Sequence, residues 1–154
     1  MDPRVARSIA HYSHTDARDR FGELVIEHVE RVAAAVPEEA RAIAYLHDVL
    51  ELTATPAAAL SARGLTSVEM AALELLTRGA SETYEAHALR VAWAPGPEGA
   101  LARCVKVADL DDHLSHPSMP AGTPPYGWAR RHILAAQERL TSQYSPLNQG
   151  VATA

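Results

Sequence analysis

The sequence predicts an all-α, single-domain protein, and three observations carry that prediction. Apolar residues recur at close to a 3.6-residue spacing, no run alternates with the period of 2 that a half-buried strand needs, and the periodic stretches are separated by Gly, Pro and capping residues. From Phe21 to Val36 the apolar stripe is Leu24, Val25, Val29, Val32 and Val36, with His28 on the same face. Pro37 followed by Glu38 and Glu39 reads as a new N-terminus, because proline is tolerated in a first turn and acids suit the helix dipole. That helix is expected to run on through Ile43, Leu46, Val49 and Leu50. A turn near Thr53 and Thr55 leads into a short helix, PAAALSA, closed by Gly64. Thr66-Ser67-Val68-Glu69 is a capping box that opens a helix reaching Arg78. Gly79 ends it, and Ser81 is the expected N-cap of the next helix, which reaches Trp93. Pro95-Gly96-Pro97-Glu98-Gly99 reads as a break, with an amphipathic helix from Ala100 to Leu114 beyond it. The stretch from His116 to Gly127, with its four prolines, is expected as a loop, and Ala129 to Gln143 as the last helix. One domain is expected over residues 1–145 and a disordered tail over 146–154.

The chain of 154 residues is long enough to bury one core, and 47% hydrophobic with 21% charged residues is ordinary for a globular domain. A formal net charge of -5 leaves no electrostatic footprint for DNA or RNA, so nucleic acid is not expected as a partner. A small anionic substrate stays open, because a bound divalent cation reverses the sign locally. Cys104 is the one cysteine, which excludes an intrachain disulfide, and its apolar setting (ALARCVKVA) marks a small core residue and not a nucleophile. The opening MDPRVARSIAHYSH meets a charge or histidine every few residues and lacks the apolar core of a signal peptide. No stretch approaches the length of a membrane span, so no membrane partner is expected and the expected location is the cytoplasm.

The segment with the most chemistry is Ala42-Ile-Ala-Tyr-Leu-His47-Asp48-Val-Leu-Glu51. Imidazole and carboxylate are both good metal ligands, so the doublet can offer two donors from one turn, with Glu51 one turn beyond His47. A bare His-Asp pair is common, however, and alone it reads as a helix end whose histidine caps carbonyls. His28 sits on an inward stripe between Val25 and Val32, where a lone histidine needs a partner. Asp109 directly follows the apolar run VKVA and shares a face with Lys106, Asp112 and His113. A buried acid is costly unless it is paired or bound to metal. No phosphate-cradling glycine loop and no Ser-His-Asp or Cys-His arrangement is suggested. His11 and His14 are expected to face solvent, and Trp93 and Trp128 to be core or packing residues and not a base-stacking platform.

Taken together, His28, His47-Asp48 and Asp109 resemble the H…HD…D pattern of the HD phosphohydrolase superfamily. The resemblance narrows to RelA/SpoT-type guanosine tetraphosphate (alarmone) hydrolase domains and their small stand-alone forms. GELVIEHVERVA is similar to their G-x-x-Y-I-x-H-P-x-x-V-A segment, and AIAYLHDVLELT to A-x-x-L-H-D-V-x-E-D-T. LLTRGASETYEAHALRVA and ARCVKVADLDDHL resemble the L-T-R…Y-x-x-Y…V-A and A-x-x-V-K-x-A-D-x-x-D-N-L segments. The likeness runs from Ala6 to Leu114.

This resemblance implies one divalent cation, typically Mn²⁺, held by His28, His47, Asp48 and Asp109, with positions left for water and a substrate oxygen. It implies that Glu51 activates or positions the water, and that the substrate is a nucleotide or another small phosphorylated molecule. Departures are as informative. The family's second acid is Leu52 here, and the Asn that contacts the nucleotide sugar is His113. The basic residue that contacts the base falls at or beside Asp19, so only Arg18 and Arg20 can replace it; otherwise they are ordinary surface arginines. Lys106 matches the V-K-x-A-D lysine, either neutralising the site or a phosphate, or supporting Asp109. Three expectations follow: a guanosine tetraphosphate 3′-pyrophosphohydrolase, an HD-type nucleotidase or phosphatase on another metabolite, and a non-catalytic metal-binding module.

Overall fold

A computed structural model describes residues 1–117 and 121–143 of the chain; the tail expected over 146–154 lies outside the described residues. The all-α expectation is met. The helices in chain order are α1 (Pro3–Ser13), α2 (Val25–Ala35), α3 (Glu38–Leu46), α4 (Val49–Leu52), α5 (Ala57–Ala62), α6 (Ser67–Leu76), α7 (Tyr84–Trp93), α8 (Gly96–Leu114) and α9 (Tyr126–Gln143). No strand forms among the described residues; Arg18 and Leu24 make a lone antiparallel bridge.

The long helix α8 is the axis of the fold, packing against α2, α3, α6, α7 and α9. Its buried residues Ala102, Val105, Ala108 and Leu110 join Val32, Ile43, Ala72, Val91 and Ile133 in the main core. Small residues dominate these contacts, which lets helix axes approach closely. A second cluster, built on Ala6, Leu46, Val49, Leu60 and Leu73, holds α1, α4 and α5 against α3 and α6.

Several local expectations are met. Thr66 and Glu69 form the reciprocal capping box that opens α6. Pro37 is the residue before α3, whose first turn carries Glu38 and Glu39. Others are corrected. The N-cap of α7 is Thr83 and not Ser81, with Ala86 N–H donating to its hydroxyl at 3.2 Å. Helix α8 begins at Gly96 and not Ala100, since Pro97 lies in a first turn where it costs no hydrogen bond. Gly99 makes that start feasible, because a Cβ there would collide with the Ala94 carbonyl. The buried Arg103 stitches the same corner, donating to the Ala94 carbonyl at 2.5 Å.

The stretch expected as one helix through Leu50 is two: α3 stops at Leu46, and His47-Asp48 form a turn before α4. Helix α1 was not foreseen; Asp2 caps it through the Arg4 N–H and Pro3 opens it. His14, expected in solvent, is 1% exposed, because α1 folds back over α3 and buries the end of that helix. Trp93 lies outside the core, 49% exposed, and packs under the Arg139 guanidinium, 6.0 Å over its ring. Trp128 does pack against the core. Cys104 is half-buried against that core, and burial pushes its thiol up, away from nucleophilic use. No helix among the described residues is long and apolar enough to cross a membrane.

Candidate metal centre

Four segments meet at one end of α8. Helix α2 contributes His28, the α3–α4 turn contributes His47 and Asp48, and α8 contributes Lys106, Asp109, Asp112 and His113. The α1–α2 loop supplies Arg18 and Arg20. The turn at His47-Asp48 matters, because neighbours on an unbroken helix point about 100° apart. Here His47 Nε2 and Asp48 Oδ1 come within 3.5 Å. On α8 the i, i+3 and i, i+4 spacings bring Lys106 and His113 to Asp109 on one face.

His28, His47 and Asp109 are almost wholly buried. His28 Nε2 lies 3.2 Å from His47 Nε2 and 3.3 Å from Asp109 Oδ1. The tautomers follow from the other side of each ring. His28 Nδ1 meets Asp112 Oδ2 at 2.7 Å and His47 Nδ1 meets the Ala44 carbonyl at 2.7 Å. Both partners can only accept, so each Nδ1 carries the hydrogen and donates. In the neutral rings both Nε2 atoms therefore aim lone pairs at the same point, beside two carboxylates. A cation there, a proton or a metal ion, would satisfy both nitrogens. A histidine whose remote nitrogen is fixed by a carboxylate or carbonyl is the usual form of a metal ligand. Donors on adjacent positions of a six-coordinate ion with bonds near 2.1 Å stand about 3 Å apart, close to the spacings seen.

Two triads of donors lie within 4.8 Å of one another: His28, His47 and Asp48, and His28, Asp109 and His113. They share His28, whose Nε2 meets His47 Nε2 at 3.2 Å on one side and Asp109 Oδ1 at 3.3 Å on the other. Three of the four predicted ligands, His28, His47 and Asp48, form one triad and Asp109 belongs to the other; either triad could hold a metal ion.

With a proton as the only cation, burial opposes charging His28, but its bonds to Asp109 and Asp112 win and raise it to about 10. Burial likewise works against the Asp109 charge, yet Lys106, His113 and His28 hold that carboxyl well below the usual range. Lys106 Nζ donates to Asp109 Oδ2 at 2.8 Å, and the same pairing keeps the lysine above its ordinary value against the cost of burial. Of the two expected roles for Lys106, support of Asp109 is the contact seen. Asp112 is held in turn by Arg31, whose Nε and Nη2 donate to its two oxygens at 2.6 and 3.0 Å, and Arg31 reaches Glu23 at 2.9 Å. The line His28–Asp112–Arg31–Glu23 went unassigned in the sequence, although Arg31 is three residues from His28 and Asp112 three from Asp109.

His28, Asp48, Lys106, Asp109 and His113 floor a cavity of about 400 Å³. Arg18, Arg20, Glu51, Leu52, Arg78, Tyr84 and Tyr126 line it above Asp48 and Asp109. The loop that carries the arginines is pinned by Asp19, whose Oδ1 accepts from the Phe21 and Glu23 N–H groups, and by Gly22 at φ +84. Arg18 donates to the Gly22 carbonyl at 2.7 Å, and neither Arg18 nor Arg20 has a carboxylate partner among the described residues. Two guanidiniums facing a cavity without acids of their own suit an anionic group. Glu51 also faces the cavity; its Oε2 accepts from the Arg78 N–H at 3.0 Å, and it belongs to neither donor triad. Leu52 is 57% exposed on the rim. Tyr84 and Tyr126, which the sequence did not single out, form an edge-to-face pair at 5.7 Å. His87, which lines the cavity too, bonds the Leu75 carbonyl through Nε2 at 3.0 Å.

No protein-family model matches this chain, and no curated protein matches it.

Proposed function

We propose that the chain is a metal-dependent phosphohydrolase of the HD kind, acting on a nucleotide. Guanosine 3′,5′-bis(diphosphate), cleaved at its 3′-pyrophosphate, is the first candidate substrate. The observation that carries this reading is the pair of Nε2 atoms of His28 and His47, 3.2 Å apart, with His28, Asp48 and Asp109 lining a cavity that also holds two acid-free arginines.

His28, His47, Asp48 and Asp109 would hold one divalent ion, Mn²⁺ by the resemblance of the motifs. Such an ion, when bound, acidifies water and polarises a phosphoryl oxygen. The protein's own groups do the rest. Arg18 and Arg20 bind and orient the phosphates, and the Asp112–Arg31 line keeps His28 aimed. Glu51 faces the cavity from the turn after Asp48 and takes the proton of the attacking water. The water oxygen bonds to phosphorus as the bond from phosphorus to the leaving oxygen breaks, and the proton passes to Glu51.

The test is a screen of the purified chain, with Mn²⁺ added, against a panel of nucleotides. Release of pyrophosphate from guanosine tetraphosphate is the expected result. Leu52 favours a second reading: with no second acid on the rim, the same centre would serve as a nucleotidase or phosphatase on a smaller metabolite. Turnover of another panel member in place of the alarmone would select it. A chain that binds metal and leaves the whole panel intact would overturn both readings in favour of a non-catalytic metal-binding module.

A further inference from the structure

We propose that Arg78 is a third anion-binding arginine of the cavity, and that a phosphate bound there draws its guanidinium away from Glu51. The inference rests on the phosphate-binding cavity described above, in which Arg78 has no part, and extends it. Arg78 stands on the connection between α6 and α7, a different segment from the loop of Arg18 and Arg20, yet its side chain lines the same cavity. That connection is braced from behind by Arg90. Its Nε and Nη2 donate to the two Glu82 carboxylate oxygens at 2.8 Å, and its Nη1 and Nη2 donate to the Leu75 and Thr77 carbonyls at 3.2 and 3.1 Å. Glu82 Oε2 also accepts the Gly79 N–H at 3.2 Å. The backbone that presents Arg78 is therefore set before any ligand arrives, which lowers the cost of binding one.

The side chain is held far less firmly than its backbone. Nη1 donates to the Glu82 carbonyl at 3.2 Å, and Nε stands 3.7 Å from Glu51 Oε1, beyond hydrogen-bond distance. Glu82 does not neutralise it, because the Glu82 carboxylate is taken by Arg90. Glu51 is thus its one carboxylate partner among the described residues. That pair is partly exposed, 41% at the arginine and 31% at the glutamate, so parting it costs little. A phosphoryl group carries more negative charge than a carboxylate and can meet the planar guanidinium fork with two bonds at once. It therefore outcompetes Glu51 for Arg78. Glu51 stays in place through the exchange, since its Oε2 is held by the Arg78 main-chain N–H at 3.0 Å. Filling the cavity and unpairing the Glu51 charge are then one event, and the acid is free to take a proton once a phosphate is bound.

The experiment is calorimetric titration of the full chain with inorganic pyrophosphate and no added metal, so that it reads the arginines alone. Wild type is compared with Arg78→Gln, Arg78→Lys, Arg18→Gln, Glu51→Gln and the double variant of Arg78→Gln with Glu51→Gln. The expected result is that Arg78→Gln weakens pyrophosphate about tenfold, as Arg18→Gln does, and that Arg78→Lys recovers part of the loss. Glu51→Gln should tighten binding about twofold to fivefold while Arg78 is present, and by clearly less once Arg78 is glutamine. Unchanged affinity in Arg78→Gln overturns the proposal, since the arginine then serves Glu51 alone. Equal tightening by Glu51→Gln in both backgrounds also overturns it, since Arg78 then stays with the acid. Either result leaves the phosphohydrolase reading standing. A wild type that binds no pyrophosphate at millimolar concentration defeats the anion-binding cavity and this inference together. The expected affinities in a chain that leaves the whole nucleotide panel intact would support the inference while the enzymatic reading falls.

Discussion

Both Glu51 oxygens face Arg78, one through a hydrogen bond and the other through an ion pair. Its Oε2 accepts the Arg78 N–H at 3.0 Å, while Arg78 Nε stands 3.7 Å from Oε1. A glutamine can keep the amide contact through its carbonyl, and it loses the proton-accepting charge together with a half-exposed ion pair that contributes little. Glu51→Gln should therefore lower turnover by about 10²–10⁴-fold, the usual worth of a general base, while metal affinity by calorimetry stays near wild type. Unchanged turnover would make the acid a bystander, and lost metal would make it a ligand. Beside it, Leu52 is 57% exposed, so it is no dry wall, and a carboxylate placed there keeps most of its hydration. Leu52→Asp should leave stability within about 0.5 kcal/mol of wild type, as surface changes do. If the alarmone is the substrate, the added acid supplies the polar partner that the resembled family carries, and the rate on guanosine tetraphosphate rises with metal preference unchanged. Rate measurements on the alarmone and on a nucleoside monophosphate check this. A loss on both would show that the rim needs its apolar side chain.

At the scale of elements, each helix tests how far local sequence decides local structure. The capping box of α6 was fully legible, because Thr66 and Glu69 satisfy each other's backbone donors without outside help. Thr66→Ala should cost about 1 kcal/mol in urea denaturation and leave metal affinity untouched, since α6 carries none of the donors. A loss of metal affinity would tie α6 to the site. Other elements were hidden for physical reasons. Helix α1 buries only Ala6 and Ala10, side chains too small to write an apolar stripe. The stop at Leu46 was masked because Ile43, Leu46, Val49 and Leu50 keep helical spacing straight through the turn. Yet that turn is what lets His47 and Asp48 converge. The candidate ligands were legible as types and positions, since His28 and Asp109 are polar residues on inward faces, where burial requires a partner. Their geometry was not, because it depends on which end of α8 the α3–α4 turn meets. Tyr84 and Tyr126 come from separate helices and are brought together only by packing. The burial of His14 arises the same way, from α1 closing over the site.

Over the whole molecule, the buried histidines set the response of stability to pH. His87 is 2% exposed inside α7, and burial, reinforced by nearby Lys106, depresses it to about 4. His14 is lowered in the same direction, again chiefly by burial. In the unfolded chain both titrate near 6.5. A depressed folded value means that the stabilising contribution is complete above the unfolded value. It is lost as pH falls toward the folded one, because the unfolded state takes up protons that the folded state refuses. The window for His87 is therefore pH 6.5 down to about 4. His28 is raised to about 10, so its contribution is already complete below 6.5 and adds no slope there. The acids held low, Asp109 and Asp112, begin to lose theirs only as pH approaches the ordinary carboxylate range. Urea denaturation at a series of pH values should show stability falling across the window, with roughly 2–3 kcal/mol of the fall due to His87. His87→Gln keeps an N–H for the Leu75 carbonyl and removes the titrating ring, so the profile should flatten, leaving the smaller slope from His14. A profile equally steep in the variant would mean that the buried ring accepts its proton as readily in the folded chain as in the unfolded one. The helix-packed floor beneath the cavity would then be wetter than its burial implies.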